Sequence, residues 1–272
     1  MRLGVCALLI STAEAFFTRS PSPGHTLQRC ASPVAEGPSP LVAPLTDNIW
    51  DMSPPLRVEG NSLKTWDIGE QTTKRVQLSL RSTGRPIDAN IELWNTPSYI
   101  PTKFSVYCED GQEQPFHTII ETPNHPKTLA VFNTEGQEFP FEVSVVSTDL
   151  GSAYESLAQE TPDLVQGGQI KSYVFDASVE SIQVLLRTSE RNMKAMIEVT
   201  QGPNDDNQVI ELDATVGHQH PFYTVIQTPG AANTLRIINQ NTVEFPFDAY
   251  VLPYEIVTDK AAEVDMGSGG KW

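Results

Sequence analysis

With 272 residues, 39% of them hydrophobic and 19% charged, the chain has material for about two ordinary globular domains and lacks the composition of a disordered one. A formal charge of −16 without any Lys/Arg cluster excludes nucleic acid as a partner, because neutralising phosphates needs concentrated positive charge. The acidity otherwise describes a solvated surface.

The first 15 residues read as a secretory signal: Arg2, an apolar run Leu3-Gly4-Val5-Cys6-Ala7-Leu8-Leu9-Ile10, and the small-x-small site Ala13-Glu14-Ala15. That run is far shorter than the roughly 20 residues needed to cross a bilayer, and no other segment comes near, so no transmembrane span is expected. Residues 16–30, opening on Phe16-Phe17 and free of acidic residues, have the Ser-rich, Arg-bearing character of a plastid transit peptide. A signal followed by such a segment resembles the bipartite leader of nucleus-encoded plastid proteins in algae with secondary plastids. With Cys6 and Cys30 lost in processing, Cys108 is the one thiol left, and a disulfide framework is not expected.

Residues 31–63, rich in Pro, Ser and Gly, read as an extended arm. From 64 to 147 the pattern is of short strands, at 64–68, 74–81, 89–94, 103–108, 116–121, 128–133 and 139–146. In Val76-Gln77-Leu78-Ser79-Leu80 every second residue is apolar, as a strand with one buried face requires. Turn formers such as Gly84-Arg85-Pro86 and Asp110-Gly111 separate the runs. Residues 148–169 read as a linker with a short helix at 153–160. Strands then recur at 171–175, 181–187, 195–200, 209–212, 222–227, 234–239 and 245–252 within a second unit, 170–256. A tail, 257–272, ends in Lys271-Trp272.

The two units are one unit repeated. Residues 75–143 align with 181–249 without a gap, at an offset of 106, and 22 of the 69 pairs are identical. Pro115, Phe116, Thr122 and Pro123 answer to Pro221, Phe222, Thr228 and Pro229. Phe139-Pro140-Phe141 answers to Phe245-Pro246-Phe247. The period is too long for a solenoid, and about seven strands per unit predict an all-β chain of two tandem, homologous antiparallel β-sandwich domains. The repeated residues suit structural tasks. Pro140 and Pro246 cannot donate to a ladder and belong at a strand start or edge, while Thr122-Pro123 and Thr228-Pro229 end a strand.

Residues with catalytic or metal-binding chemistry are few. His218-Gln219-His220 places two imidazoles on one face of a strand, but a zinc site needs further ligands, and the first unit has Gln112 and Gln114 there. Glu92/Glu198 and Glu138/Glu244 recur, yet nothing in the sequence makes them converge as an acid–base pair. The oxygen-rich Asn204-Asp205-Asp206-Asn207 lacks EF-hand spacing. No phosphate-binding glycine loop, nucleophile elbow or CxxC occurs. No catalytic residue, metal or cofactor is assigned.

Taken together, Ile91-Glu92-Leu93-Trp94, Glu109-Asp110-Gly111, Pro115-Phe116, Ile120-Glu121-Thr122-Pro123, Asn133 and Glu138-Phe139-Pro140-Phe141 resemble the pyrenoid shell proteins of diatoms and haptophytes. The resemblance covers roughly residues 64–255. It departs at Thr96-Pro97, where Gly-Pro is expected, and at Thr200, which replaces Trp. It implies a non-enzymatic protein that associates with itself into a sheet around the Rubisco-containing pyrenoid of a secondary-plastid alga, supporting carbon fixation, with Rubisco or other pyrenoid components as further partners. The expected assembly contacts are strand edges and the terminal arms, both the 31–63 arm and the tail, with Trp272 and Lys271. The alternative is a plastid carbohydrate- or pigment-complex-binding module, for which Trp94, Tyr99 and Tyr107 would form an aromatic platform.

Overall fold

Alternating polarity is realised as sixteen strands among the described residues. The computed structural model describes residues 49–69, 74–95, 99–123, 127–147, 155, 157–189, 191–201, 206–215, 217, 219–228, 230 and 232–257. A one-turn helix, α1 (Ile49–Met52), precedes β1 (Leu56–Val58), β2 (Ser62–Ile68), β3 (Arg75–Arg81), β4 (Ile87–Asn95), β5 (Tyr99–Cys108), β6 (Phe116–Glu121), β7 (Lys127–Asn133) and β8 (Phe141–Val146). A 3-10 turn (Leu157–Gln159) precedes β9 (Asp163–Val165), β10 (Ile170–Phe175), β11 (Val179–Arg187), β12 (Met193–Thr200), β13 (Asp206–Ala214), β14 (Phe222–Gln227), β15 (Asn233–Asn239) and β16 (Phe247–Ile256).

These strands make two eight-stranded sheets, antiparallel throughout. The first runs β1-β8-β3-β6-β14-β11-β16-β9 and the second β10-β15-β12-β13-β5-β4-β7-β2. The inward faces of both meet in one core. Val76, Leu78 and Leu80 from the first sheet share it with Ile87, Ala89, Ile91 and Leu93 from the second.

Each repeat contributes four strands to each sheet, so each is a four-on-four half. The halves nevertheless do not form separate tandem domains, as the sequence leads one to expect. They join edge to edge in both sheets, through β6–β14 and through β13–β5, and all described residues fall in one compact unit, Leu41–Trp272. Four strands leave an open edge in mid-molecule, and pairing with the sister half satisfies it. The joint has an internal two-fold relation. Thr118 lies opposite its own counterpart Thr224 in the first sheet, and Ser105 lies opposite its counterpart Glu211 in the second.

Both threonines face inward, where a hydroxyl needs a partner. Thr118 Oγ1 donates to Tyr223 O and Thr224 Oγ1 donates to His117 O, each at 2.7 Å. Phe104 from β5 packs between the halves, 5.9 Å from the Phe116 ring and 5.4 Å from that of Phe222.

The arm and the linker also differ from expectation. Residues 56–58 and 62–63 of the arm are strand, and the linker holds β9. The two segments are equivalents. Ile49 and Leu157 are both buried, and β1 and β9 close opposite ends of the first sheet. The repeat therefore begins before the alignment detects it. The helix expected at 153–160 is a 3-10 turn over Leu157–Gln159 among the described residues.

Because the sheets and core run through both halves, urea unfolding followed by fluorescence and circular dichroism should be one coincident transition. Phe104→Ala should cost about 3–5 kcal/mol, as for other fully packed aromatics. Two resolved transitions would mean that the halves fold independently.

Candidate assembly surfaces

The repeated motif residues lie at strand ends and inside. Phe116, Phe222, Phe141 and Phe247 are buried, while Pro115 and Pro221 are half-buried just ahead of β6 and β14. Pro140 and Pro246 immediately precede β8 and β16. Phe139 and Phe245 are half-buried, each beside the guanidinium of Arg85 or Arg191 at 5.8 and 5.7 Å, and those arginines donate to Glu138 O and Glu244 O. Thr122 and Thr228 are buried after their strands, with N–H groups donating to Lys74 O (2.7 Å) and Glu180 O (2.8 Å). Pro123 is half-buried; Pro229 lies outside the described residues, as do Lys271, Trp272 and the leader.

Asn133 and Asn239 do more than end a strand. The Asn133 amide donates to Val58 O (3.3 Å) and Phe139 O (2.9 Å), and its oxygen accepts from Glu135 N–H. Asn239 repeats this with Val165 O, Phe245 O and Asn241 N–H. One side chain thus holds the edge strand β1 or β9 to the turn before β8 or β16.

The residues weighed for chemistry stay apart. Glu92 accepts from the Trp94 indole at 2.7 Å, and Glu198 pairs with Arg236 at 2.8 Å. Both sit on the outer face of the second sheet, three strand spacings apart (about 14 Å) and offset by four residues along the strands. His220 is buried; His218, Asn204 and Asp205 lie outside the described residues. Among the described residues no group of three or more His, Cys, Asp or Glu is placed to hold a metal, and no helix is long and apolar enough to cross a membrane. The aromatic platform is divided. Trp94 is on the outer face, not in the core, and Tyr99 and Tyr107 stand at opposite ends of β5, about 26 Å apart along the strand. A shallow depression of about 420 Å³ lies over the two-fold joint of the second sheet, and there Asp213 faces Lys103 (3.8 Å) and Lys194 (3.6 Å) in mutually compensating pairs.

Two buried polar groups were not legible in the sequence. Register brings Ser79 beside His117, Oγ to Nδ1 at 2.7 Å, beneath the outer surface of the first sheet. Both are fully buried, so the pair has no access to a substrate, and burial lowers the His117 pKa to about 4. Cys108 is a core residue whose thiol is pushed up to about 12 by burial, although the Gln208 amide at 3.0 Å works the other way.

What remains exposed and unusual is the pair of ends. β1 and β9 are three residues long, but β2 and β10 have seven and six, and among the described residues each has a strand neighbour on one side only. A long open edge offers a row of backbone donors and acceptors to another chain. A family model described as "Diatom pyrenoid shell protein" matches residues 50–253, both halves and nearly all of the described fold. The chain belongs to the diatom pyrenoid shell protein family. No curated protein matches. Among solved structures, the PBSX exported protein XepA is similar at 10% identity, covering 72% of this chain and 84% of its own, with a TM-score of 0.26. A vicilin from Solanum melongena follows at 9% identity, 70% and 73% coverage, and a TM-score of 0.20.

His117 makes stability pH-dependent with a definite sign. Neutral when folded, it takes a proton in the unfolded chain below its ordinary 6.5, so its contribution is present above that value and is lost as pH falls toward 4. The loss should reach about 3 kcal/mol. Urea titrations of the native chain and of His117→Gln between pH 7 and 4 should diverge accordingly, and parallel curves would count against a neutral buried imidazole.

Proposed function

We propose that the chain is a non-enzymatic structural protein of the plastid stroma. It associates with itself into a sheet at the periphery of the Rubisco-containing pyrenoid and so supports carbon fixation. Family membership supports the setting. The observation that carries self-association is the pair of long strand edges, β2 and β10, which among the described residues are left open at opposite ends of the second sheet. Two halves built on one frame give such a molecule an open edge at each end, and contacts that do not close on themselves propagate into open arrays. Leader processing in two steps, at Ala15/Phe16 and again within about residues 28–50, would deliver the chain to the stroma.

Charge opposes assembly. Beyond residue 30 there are 15 basic and 33 acidic residues, a net of 15 − 33 = −18. Ordered contacts must overcome that repulsion, which salt confines to about 8 Å at physiological ionic strength.

Electron microscopy of purified protein lacking residues 1–30 should therefore show sheets or tubes without added ligand, more abundant as salt rises from very low values. A monomer at every salt concentration that retains a glycan would support the binding-module reading instead. Deleting 266–272, with Lys271 and Trp272, should weaken assembly and leave thermal unfolding unchanged. Equal assembly by the truncated chain would remove the tail from the contact. A fluorescent fusion should outline the pyrenoid, and uniform stromal fluorescence would contradict the location.

A further inference from the structure

β2 and β10 are equivalent strands, and each is entered just after a residue in the left-handed region, Asn61 (φ 55°) and Gly168 (φ 78°). At the second of these, Gly168 N–H donates to Asn239 O (2.9 Å) and Asn239 N–H donates to Gln169 O (3.0 Å). That bulge sets the alternation of the ladder. Lys171, Tyr173 and Phe175 then bond to β15, and the backbone groups of Ile170, Ser172 and Val174 point to the open side. The side chains of these three stand together on the outer face of the second sheet. The corresponding residues of β2 are Leu63, Thr65 and Asp67.

The two edges thus differ where it matters. Asp67 guards β2 with an exposed charge, a common way of blunting an open strand. β10 carries Val174 there, 78% exposed, with Ile170 at 51%. We infer that the β10 edge is a docking site for a second copy of this chain, pairing antiparallel with its own counterpart about a two-fold axis at Ser172.

That register is self-complementary. It sets Ile170 opposite Val174 of the other copy, twice, with Ser172 opposite Ser172. It repeats between chains what Thr118 and Thr224 do within one, where equivalent strands meet about a two-fold relation. Charge favours the same choice. Two strongly acidic copies approach most easily where the mating strip is uncharged, and the one cation of β10, Lys171, is already held by Asp163 at 3.5 Å on the inner side. Joining β2 to β2, or β2 to β10, would instead carry Asp67 into the contact. A six-residue edge buries less than the roughly 800 Å² per partner of a stable complex. The contact is therefore weak alone and belongs among the several contacts of an array, so the inference rests on the self-assembly reading above.

Cross-linking reads the register directly. In the full chain with Cys6→Ser and Cys30→Ser, and Cys108 buried, Ser172→Cys should form a disulfide-linked dimer under mild oxidation. Hydrogen-bonded partners lie about 5.5 Å apart at Cα, within disulfide reach. Thr65→Cys on β2 should remain monomeric. Adding Val174→Asp, at an exposed position where folding can be confirmed by circular dichroism, should slow the Ser172→Cys cross-link by about tenfold. Equal rates for Ser172→Cys and Thr65→Cys, an unchanged rate with Val174→Asp, or a preference for mixed Ser172–Thr65 dimers would each overturn the proposal. Micrographs keep the two readings distinct. Undiminished sheets from Val174→Asp would reject the β10 contact and leave self-assembly standing, whereas a specific cross-link without sheets would reject the shell reading alone.

Discussion

A strand edge that is withdrawn from water must find hydrogen-bond partners, and this requirement organises the molecule at every level. Each repeat yields two four-stranded half-sheets. Pairing β6 with β14 and β5 with β13 satisfies four edges at once and merges two potential cores into one. The joint then imposes its own chemistry. Threonine at 118 and 224 suits it because each hydroxyl reaches a carbonyl of the facing strand, and Phe104 fills the space between Phe116 and Phe222.

The same requirement explains the covers at the outer ends. α1 with β1, and the 3-10 turn with β9, are short segments that could not persist alone. They are fixed by side chains of the body. Ser144 Oγ donates to the Ile49 and Ser53 carbonyls, Arg81 stacks on Trp50 at 4.1 Å, and Asn133 reaches Val58 O. Where the chain passes from β1 to β2 it runs against the turn before β8 so closely that a Cβ at Gly60 would lie 1.9 Å from Gly136 O. Gly167 meets Thr242 O in the same way. Glycine at both positions follows from that contact.

Most of the strand content was legible because it needs only a period of two and a turn signal. The runs at 116–121 and 222–227 coincide with β6 and β14 to the residue. What stayed hidden depends on distant pairing. A repeat in sequence does not say whether its copies fold side by side or share sheets, since the deciding contacts lie 106 residues apart. β1 and β9 escaped because three residues carry no period, and their equivalence is blurred by a slightly longer offset than that of the core. Phase, not residue type, decides where Trp94 points. In β4 the inward positions are Ile87, Ala89, Ile91 and Leu93, which sends Trp94 outward. The candidate surface itself was legible only as a class, open edges, and its identity needed the strand order.

The halves keep the contacts that fix strand ends and differ in the layer packed outside the first sheet. Asn133/Asn239, Arg85/Arg191 and Phe141/Phe247 make equivalent contacts in both. On the outer face of the first sheet, however, Ser79, His117 and Ser144 correspond to Leu185, Tyr223 and Tyr250, so a polar seat in one half is an apolar cluster under Leu157 in the other. A buried position must suit its packed neighbours, and exposed positions answer to whatever each half touches. Asp67 and Val174 belong to this second kind. A molecule with two interchangeable ends would accept its neighbours in several orientations at nearly equal energy. Dissimilar ends on a common frame restrict those orientations, and order in an extended array depends on that restriction.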